Sequence, residues 1–184
     1  VTRVQLRSFY SPGERAALYA STYRHDKWEE HKFRVAYTAQ LLREMKPESV
    51  ADLSCGDGAV IAQAELLCPA YLGDIAPGWQ FTGPIEETIL ACPAVDVFVC
   101  SETLEHVENP DALLRAIRGK ARRLLLTTPD GETRNDNPEH YWGWDLSDLA
   151  LMMGDAGWVP EVPAERYVPP VLFPYYAYQV WRCR

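Results

Sequence analysis

From Trp28 onward, Val35, Ala39 and Leu42 recur at helical spacing until Pro47 halts the pattern, which predicts one amphipathic helix over 27–45. A looser aromatic segment with Phe9, Tyr10, Tyr19 and Tyr23 precedes it. Residues 49–53 form a short apolar run that ends at Gly56 and Gly58, and 59–67 resumes a helical pattern, so the order is strand, glycine turn, helix. Further short runs at 70–73, 80–82, 95–100 and 123–128 predict strands. Between the last two, Asn109 reads as an N-cap and Pro110 as a first helical residue, which predicts a helix over 111–118. Asp145 caps another, with Leu146, Leu149, Ala150 and Met153 on its inner face and Gly154 and Gly157 at its exit. Beyond it, 158–162 and 175–183 read as two strands joined by a proline-rich loop, an antiparallel pair at one sheet edge. Strands alternating with helices predict an α/β fold, a doubly wound and mostly parallel sheet covered on both faces.

In such sheets ligands sit at the carboxyl ends of the strands, near the switch in strand order, so the exit of the first strand is the place to look. It reads Asp52-Leu53-Ser54-Cys55-Gly56-Asp57-Gly58. Glycines there admit close backbone approach and positive φ, although an ordinary strand-to-helix turn would use them too. Where a dinucleotide site needs a third glycine under its pyrophosphate this chain has Ile61, which disfavours a phosphate-bearing cofactor. Asp74, ending the second strand, can accept both ribose hydroxyls of a nucleoside, or can be a solvated residue before Pro77-Gly78. Only residues 75–79 separate Asp74 from Gln80, fewer than the roughly dozen that a parallel crossover needs. The sheet is therefore expected to be truncated between its second and third strands.

Glu102, Glu105 and His106 lie at i, i+3 and i+4, which on a helical turn puts two carboxylates and an imidazole on one face. They follow the fourth strand and so face the same end of the sheet as the glycine turn. Adjacent carboxylates repel unless a cation lies between them. His140, in Pro138-Glu139-His140-Tyr141-Trp142-Gly143-Trp144, can complete a four-ligand set whose mixed carboxylate and imidazole character suits Mg²⁺, Mn²⁺ or Fe²⁺. The alternative makes His106 a core histidine bonded to backbone and His140 a loop residue packed on Trp142 or Trp144. Arg122 and Arg123 read as a solvated strand entry. Arg24, His25, Lys27 and Lys32 read as a solvated helix face that can line a substrate mouth.

Composition narrows the partners. The 184 residues, 47% of them apolar, suit one domain over 1–184. With 26 acidic and 18 basic side chains the formal charge is -8, which argues against a partner held by generic attraction to phosphates and leaves a small-molecule substrate as the expectation. No apolar run approaches the ~20 residues that span a bilayer, and the first residues lack a signal-peptide core, which reads as a cytoplasmic protein with no membrane partner. Cys55, Cys68, Cys92, Cys100 and Cys183 are scattered with no Cys-x-x-Cys pair and read as reduced thiols.

The segment 52–58 resembles the first motif of class I S-adenosylmethionine-dependent methyltransferases, and 95–107 (VDVFVCSETLEHV) resembles that family's fourth-strand motif. The similarity continues through 124–129 and into Gly157-Trp158, covering roughly 48–183. It implies a Rossmann-like sheet of seven strands with an antiparallel C-terminal hairpin, a helical lid over 1–46 on a cofactor-binding core over 47–184, and S-adenosylmethionine as cofactor. By this match Gly56 and Gly58, with Asp52 and Ser54 beside them, would lie under the methionine end, and Asp74 would take the ribose. Ile85 or Glu86 would flank the adenine and Ser101 would touch the cofactor from the fourth strand. Tyr19 and Tyr23, in the lid, would contact substrate. The run Glu-x-x-Glu-His with a later histidine resembles both small-RNA 3′-terminal 2′-O-methyltransferases and ubiquinone-pathway O-methyltransferases. The implied activity is O-methylation of a small-molecule or sugar hydroxyl, with His106 or His140 as base and Mg²⁺ or Mn²⁺ at Glu102, Glu105, His106 and His140. A metal-dependent RNA 2′-O-methyltransferase and a non-catalytic cofactor- or partner-binding relic are the alternatives.

Overall fold

Every residue from Val95 to Cys100 is buried, as a central strand of a parallel sheet must be when helices cover both faces. The computed structural model describes residues 3–133 and 137–184. In chain order the elements are β1 (Val4–Gln5), α1 (Pro12–Leu18), α2 (Glu29–Met45), β2 (Val50–Asp52), α3 (Ala59–Ala64), β3 (Ala70–Asp74), β4 (Phe81–Thr82), α4 (Ile85–Ala91), β5 (Val95–Ser101), α5 (Pro110–Arg118), β6 (Ala121–Pro129), β7 (Trp142–Gly143), α6 (Leu146–Asp155), β8 (Glu165–Tyr167) and β9 (Tyr178–Cys183). Short 3-10 turns lie at His25–Lys27 and Leu104–His106.

The main sheet runs β4-β3-β2-β5-β6-β9-β8. Strand β9 pairs antiparallel with both β6 and β8, while the other neighbours pair in parallel. The chain starts in β2, steps outward to β3 and β4, then returns to β5 on the other side. That reversal opens a crevice at the carboxyl ends of β2 and β5. Alternate residues feed two cores. Phe98, Cys100, Leu124 and Leu126 pack with α4, α5 and α6, and Val97, Val99 and Leu125 pack with α2 and α3.

The expected truncation is present. Strands β3 and β4 are joined by 75–80 with no helix, and they share only the pairs Gly73↔Phe81 and Asp74↔Thr82. Gly73 has no side chain because a Cβ there would stand 2.6 Å from the Phe81 carbonyl oxygen.

Several boundaries differ from the sequence reading. The stretch 158–162 forms one isolated antiparallel bridge to β9 rather than a strand. Trp158 turns into the core and donates its indole N–H to the Leu114 carbonyl at 3.1 Å, and Val159 and Arg184 exchange backbone hydrogen bonds at 2.9 Å. Pro160 bridges Cys183 antiparallel and Glu161 N–H donates to the Arg182 carbonyl at 2.9 Å, but Pro163 then denies the ladder a donor, so the strand that continues the pairing along β9 is β8. On α6 the buried residues are Asp148, Leu149, Met152 and Met153, whereas Ala150 is exposed. The N-terminal segment holds an unforeseen helix, α1, with a capping box between Ser11 and Glu14 and Pro12 at its first turn. It also contributes β1, which pairs antiparallel with β7. Among the described residues no helix is long and apolar enough to cross a membrane.

Candidate functional site

At the exit of β2 the chain turns through Gly56, whose φ is +55°. The Gly56 N–H donates to the Asp74 carboxylate at 2.8 Å, and the Ala76 N–H donates to its other oxygen at 2.9 Å. Asp74 thus braces the turn while lining the cavity beside it. Burial raises its pKa against the pull of these two backbone donors. A Cβ at Gly56 would stand 2.7 Å from His25 Cε1, because the segment ahead of α2 lies across the turn. His25 is fixed there by Asp57, with its ring Nδ1 at 2.5 Å and its backbone N–H at 3.1 Å from the carboxylate. Gly58 faces the other way, onto the Trp79 ring, and does not line the cavity. Nor does Asp52, which is buried behind the turn and whose carboxyl burial pushes up to about 7.

Across the crevice, Ser54 Oγ and Thr103 Oγ1 meet at 2.6 Å and tie the exits of β2 and β5 together. Ser101 ends β5, 2.8 Å from Thr127 Oγ1, and accepts a 2.8 Å hydrogen bond from Arg34 Nη1. Arg34 is the residue that sequence reasoning missed. It is 3% exposed, lines the cavity, lies over the Tyr178 ring and has no partner for its Nε–H. The available signal was its phase, since Arg34 shares the inward side of α2 with Thr38, Leu41 and Met45. Ile85 and Glu86, at the start of α4, close the far side of the cavity, with Glu86 3.7 Å from Arg15.

The acidic cluster is arranged differently from a single helical turn. Glu102 precedes the 3-10 turn in a left-handed conformation (φ +50°), and its carboxylate accepts from Thr127 Oγ1 at 2.9 Å. Glu105 lies on the turn, and one of its oxygens accepts from Thr128 Oγ1 at 3.0 Å. Its other oxygen, Oε1, is buried without a hydrogen-bond partner and stands 3.9 Å from His106 Nε2. Burial pushes the Glu105 carboxyl well above the usual carboxylate range, and Glu102 adds to that. His106 faces the Glu139 carbonyl at 3.1 Å and Tyr19 Oη at 3.3 Å through Nδ1. The His106 and His140 rings meet edge to face at 4.7 Å. Burial lowers both imidazoles, His140 to about 4, so both are neutral.

One ligand atom each from Glu105, His106 and His140 lies within 4.8 Å of the others, and Glu102 is outside that set. Of the four residues expected as ligands, three thus lie together, while the left-handed backbone at Glu102 turns its carboxylate onto β6. The donor chemistry fits a divalent cation: a buried carboxylate oxygen with no hydrogen-bond partner lies beside two neutral imidazoles, each of which keeps one ring lone pair. Tyr19 sits next to this cluster. Tyr23 lies over the glycine turn, its hydroxyl 2.8 Å from His31 Nδ1. Both line the same cavity of about 850 Å³, which joins Gly56, Asp74 and Ile85 at one end to Glu102, His106 and His140 at the other.

No family model matches the chain, and no curated protein matches it in sequence. Solved structures do match in shape. The 1,6-didemethyltoxoflavin-N1-methyltransferase of Burkholderia thailandensis, solved with 1,6-didemethyltoxoflavin and S-adenosylhomocysteine, superposes with a TM-score of 0.73 at 18% identity over 99% of this chain and 94% of that one. The N-terminal domain of EvdMO1, solved in the presence of S-adenosylhomocysteine and D-fucose, gives 0.56 at 13% identity over 93% and 94%. The small RNA methyltransferase HEN1 gives 0.66 at 17% identity over 89% of this chain, which spans 26% of that one. The chain has the class I S-adenosylmethionine-dependent methyltransferase fold.

Proposed function

We propose that the chain transfers the methyl group of S-adenosylmethionine to a hydroxyl of a small molecule or sugar. The observation that carries this reading is a cavity of about 850 Å³ lined both by Asp74 and Ile85 and by His106 and His140. Asp74 takes the ribose hydroxyls and Ile85 packs on the adenine. Arg34, a buried cation facing the cavity, takes the methionine carboxylate. The acceptor oxygen attacks the methyl carbon in line as the carbon–sulfur bond breaks. The electron pair stays on sulfur, and S-adenosylhomocysteine leaves. Where its imidazole is unligated, His106 or His140 takes the hydroxyl proton. Glu105, His106 and His140 would hold Mg²⁺ or Mn²⁺, and a cation there supplies Lewis acidity toward the acceptor hydroxyl.

A small acceptor is favoured over RNA by the walls of the acceptor end. Tyr19, Trp28, Phe173 and Tyr176 line it with Glu30 and Glu139, so it is aromatic and acidic, and among the cavity-lining residues only Lys27 and Arg34 bring a lysine or arginine charge. A phosphodiester would meet repulsion there. Transfer assays with labelled S-adenosylmethionine, run with and without Mn²⁺ on hydroxylated aromatics, on sugars and on short RNA, test the reading. Turnover of a small acceptor supports it, turnover of RNA alone replaces it with the 2′-O-methyltransferase reading, and binding without any turnover leaves a cofactor-binding relic.

A further inference from the structure

Glu132 drew no attention as sequence, yet its carboxylate is buried 2.6 Å from His140 Nδ1. The hydrogen bonds around His140 decide which ring nitrogen carries the proton. Glu139 N–H donates to Asn137 Oδ1 at 2.9 Å, which fixes the orientation of that amide. Asn137 Nδ2 is therefore the end that faces His140 Nε2, at 3.0 Å. An amide NH₂ only donates, so Nε2 holds a lone pair. The single proton of the neutral ring is then on Nδ1, where it is donated to Glu132 Oε2. Tyr176 donates its hydroxyl to the other Glu132 oxygen at 3.3 Å.

The backbone is shaped to deliver this carboxylate. Gly131, at φ +68°, donates its N–H to the Trp144 carbonyl at 2.9 Å. Gly143 lies so close beneath Glu132 that a Cβ there would collide with the Glu132 carbonyl. Two glycines thus weld the Glu132 turn to the strand that follows His140.

We infer that Glu132 is a positioning residue, a carboxylate that fixes the His140 tautomer with the proton on Nδ1 and the lone pair on Nε2, where Asn137 Nδ2 donates to it. The consequence for ligation rests on the proposed function, in which a divalent cation held by Glu105, His106 and His140 takes this lone pair in place of Asn137 Nδ2. A carboxylate behind a ligating imidazole orients the ring and raises its basicity. No residue of the cluster supplies this hydrogen bond, and the assignment of the tautomer does not depend on any metal.

The test is Glu132→Gln in the full chain. With Tyr176 still donating to the amide oxygen, the new NH₂ faces His140 Nδ1 while Asn137 Nδ2 still faces Nε2, so neither ring nitrogen has an acceptor for the proton and the tautomer preference is lost. Long-range ¹H–¹⁵N NMR of the histidine rings should find the His140 proton on Nδ1 in the native protein and shared between Nδ1 and Nε2 in the variant. Mn²⁺ affinity by titration calorimetry should fall by roughly tenfold to a hundredfold, with S-adenosylhomocysteine affinity within twofold of native. A His140 proton on Nε2 in the native protein, or a tautomer unmoved by the substitution, overturns the inference. Equal losses of Mn²⁺ and S-adenosylhomocysteine affinity overturn it as well, since they report a collapsed site. If the native protein binds no Mn²⁺ while the tautomer still moves with Glu132, the metal reading of the proposed function fails and the positioning role stands.

Discussion

Asp74 accepts the Gly56 N–H at 2.8 Å, so the acid at the end of β3 also shapes the glycine turn at the end of β2. Its second oxygen is held by Ala76 at 2.9 Å, and ribose hydroxyls must use the lone pairs that remain. Asp74→Ala removes the brace and the acceptor together. S-adenosylhomocysteine binding by calorimetry should weaken by ~1.5 to 3 kcal/mol, the worth of charge-assisted hydrogen bonds. Gly56→Val should abolish binding outright, because the side chain meets His25 in a left-handed backbone that valine resists. Native affinity in both variants would remove the cofactor from this turn.

Arg34 offers a sharper test because its role concerns one end of the cofactor. An Arg34→Met chain keeps the buried stem and loses the charge and donors. S-adenosylhomocysteine should bind at least tenfold more weakly, in line with ~1.5 to 3 kcal/mol for a hydrogen bond to a charged group. Adenosine, which lacks the carboxylate, should bind as before. Equal losses for both ligands would make Arg34 a structural partner of Ser101 and nothing more.

Glu105 carries the expectation about the cation. Its buried and unpartnered Oε1 makes Glu105→Gln a nearly isosteric change that removes the anionic ligand. Mn²⁺ binding, read by electron paramagnetic resonance, should drop by an order of magnitude or more, and chelator should suppress transfer by the native protein. Transfer that proceeds unchanged in chelator would return His106 to the role of general base.

The parts of this molecule that were legible in the sequence are those whose signal is local. Asn109 and Asp145 cap the helices they were expected to cap, with Asn109 accepting from Ala112 N–H at 3.0 Å. The run 95–100 is a buried strand, and the short loop after Asp74 leaves no room for a helix. Arg34 and Glu132 were not legible, because their meaning depends on tertiary packing. Arg34 meets Ser101 across 67 residues, and Glu132 is seated against Gly143 of β7 and accepts from Tyr176, 44 residues on. Helix α4 has seven residues and buries only Ile85 and Ile89, too few to announce a period. Glu102 lies apart from Glu105, His106 and His140 for a conformational reason: helical spacing assumes a right-handed turn where the backbone is left-handed.

Asp52 links the buried turn to pH. Burial pushes its carboxyl up to about 7, with Asp74 nearby adding to the rise, against a value near 3.8 for an unperturbed aspartate. The folded state therefore holds a proton that the unfolded chain releases between those values. Stability contributed by this group is complete below pH ~4, falls as pH rises through 7 at about 1.4 kcal/mol per pH unit, and is flat above, a span of roughly 4 kcal/mol at most. Asp52→Asn keeps the oxygen that accepts from the Ser54 N–H and can never ionise. The difference in unfolding free energy between variant and native protein, measured in urea at pH 5, 6, 7 and 8, should shift in favour of the asparagine from pH 5 to 7 and level off by pH 8. Parallel curves over that range would mean that Asp52 ionises as easily in the folded protein as in the unfolded chain, and the buried turn would then have to admit water or a cation to the carboxylate.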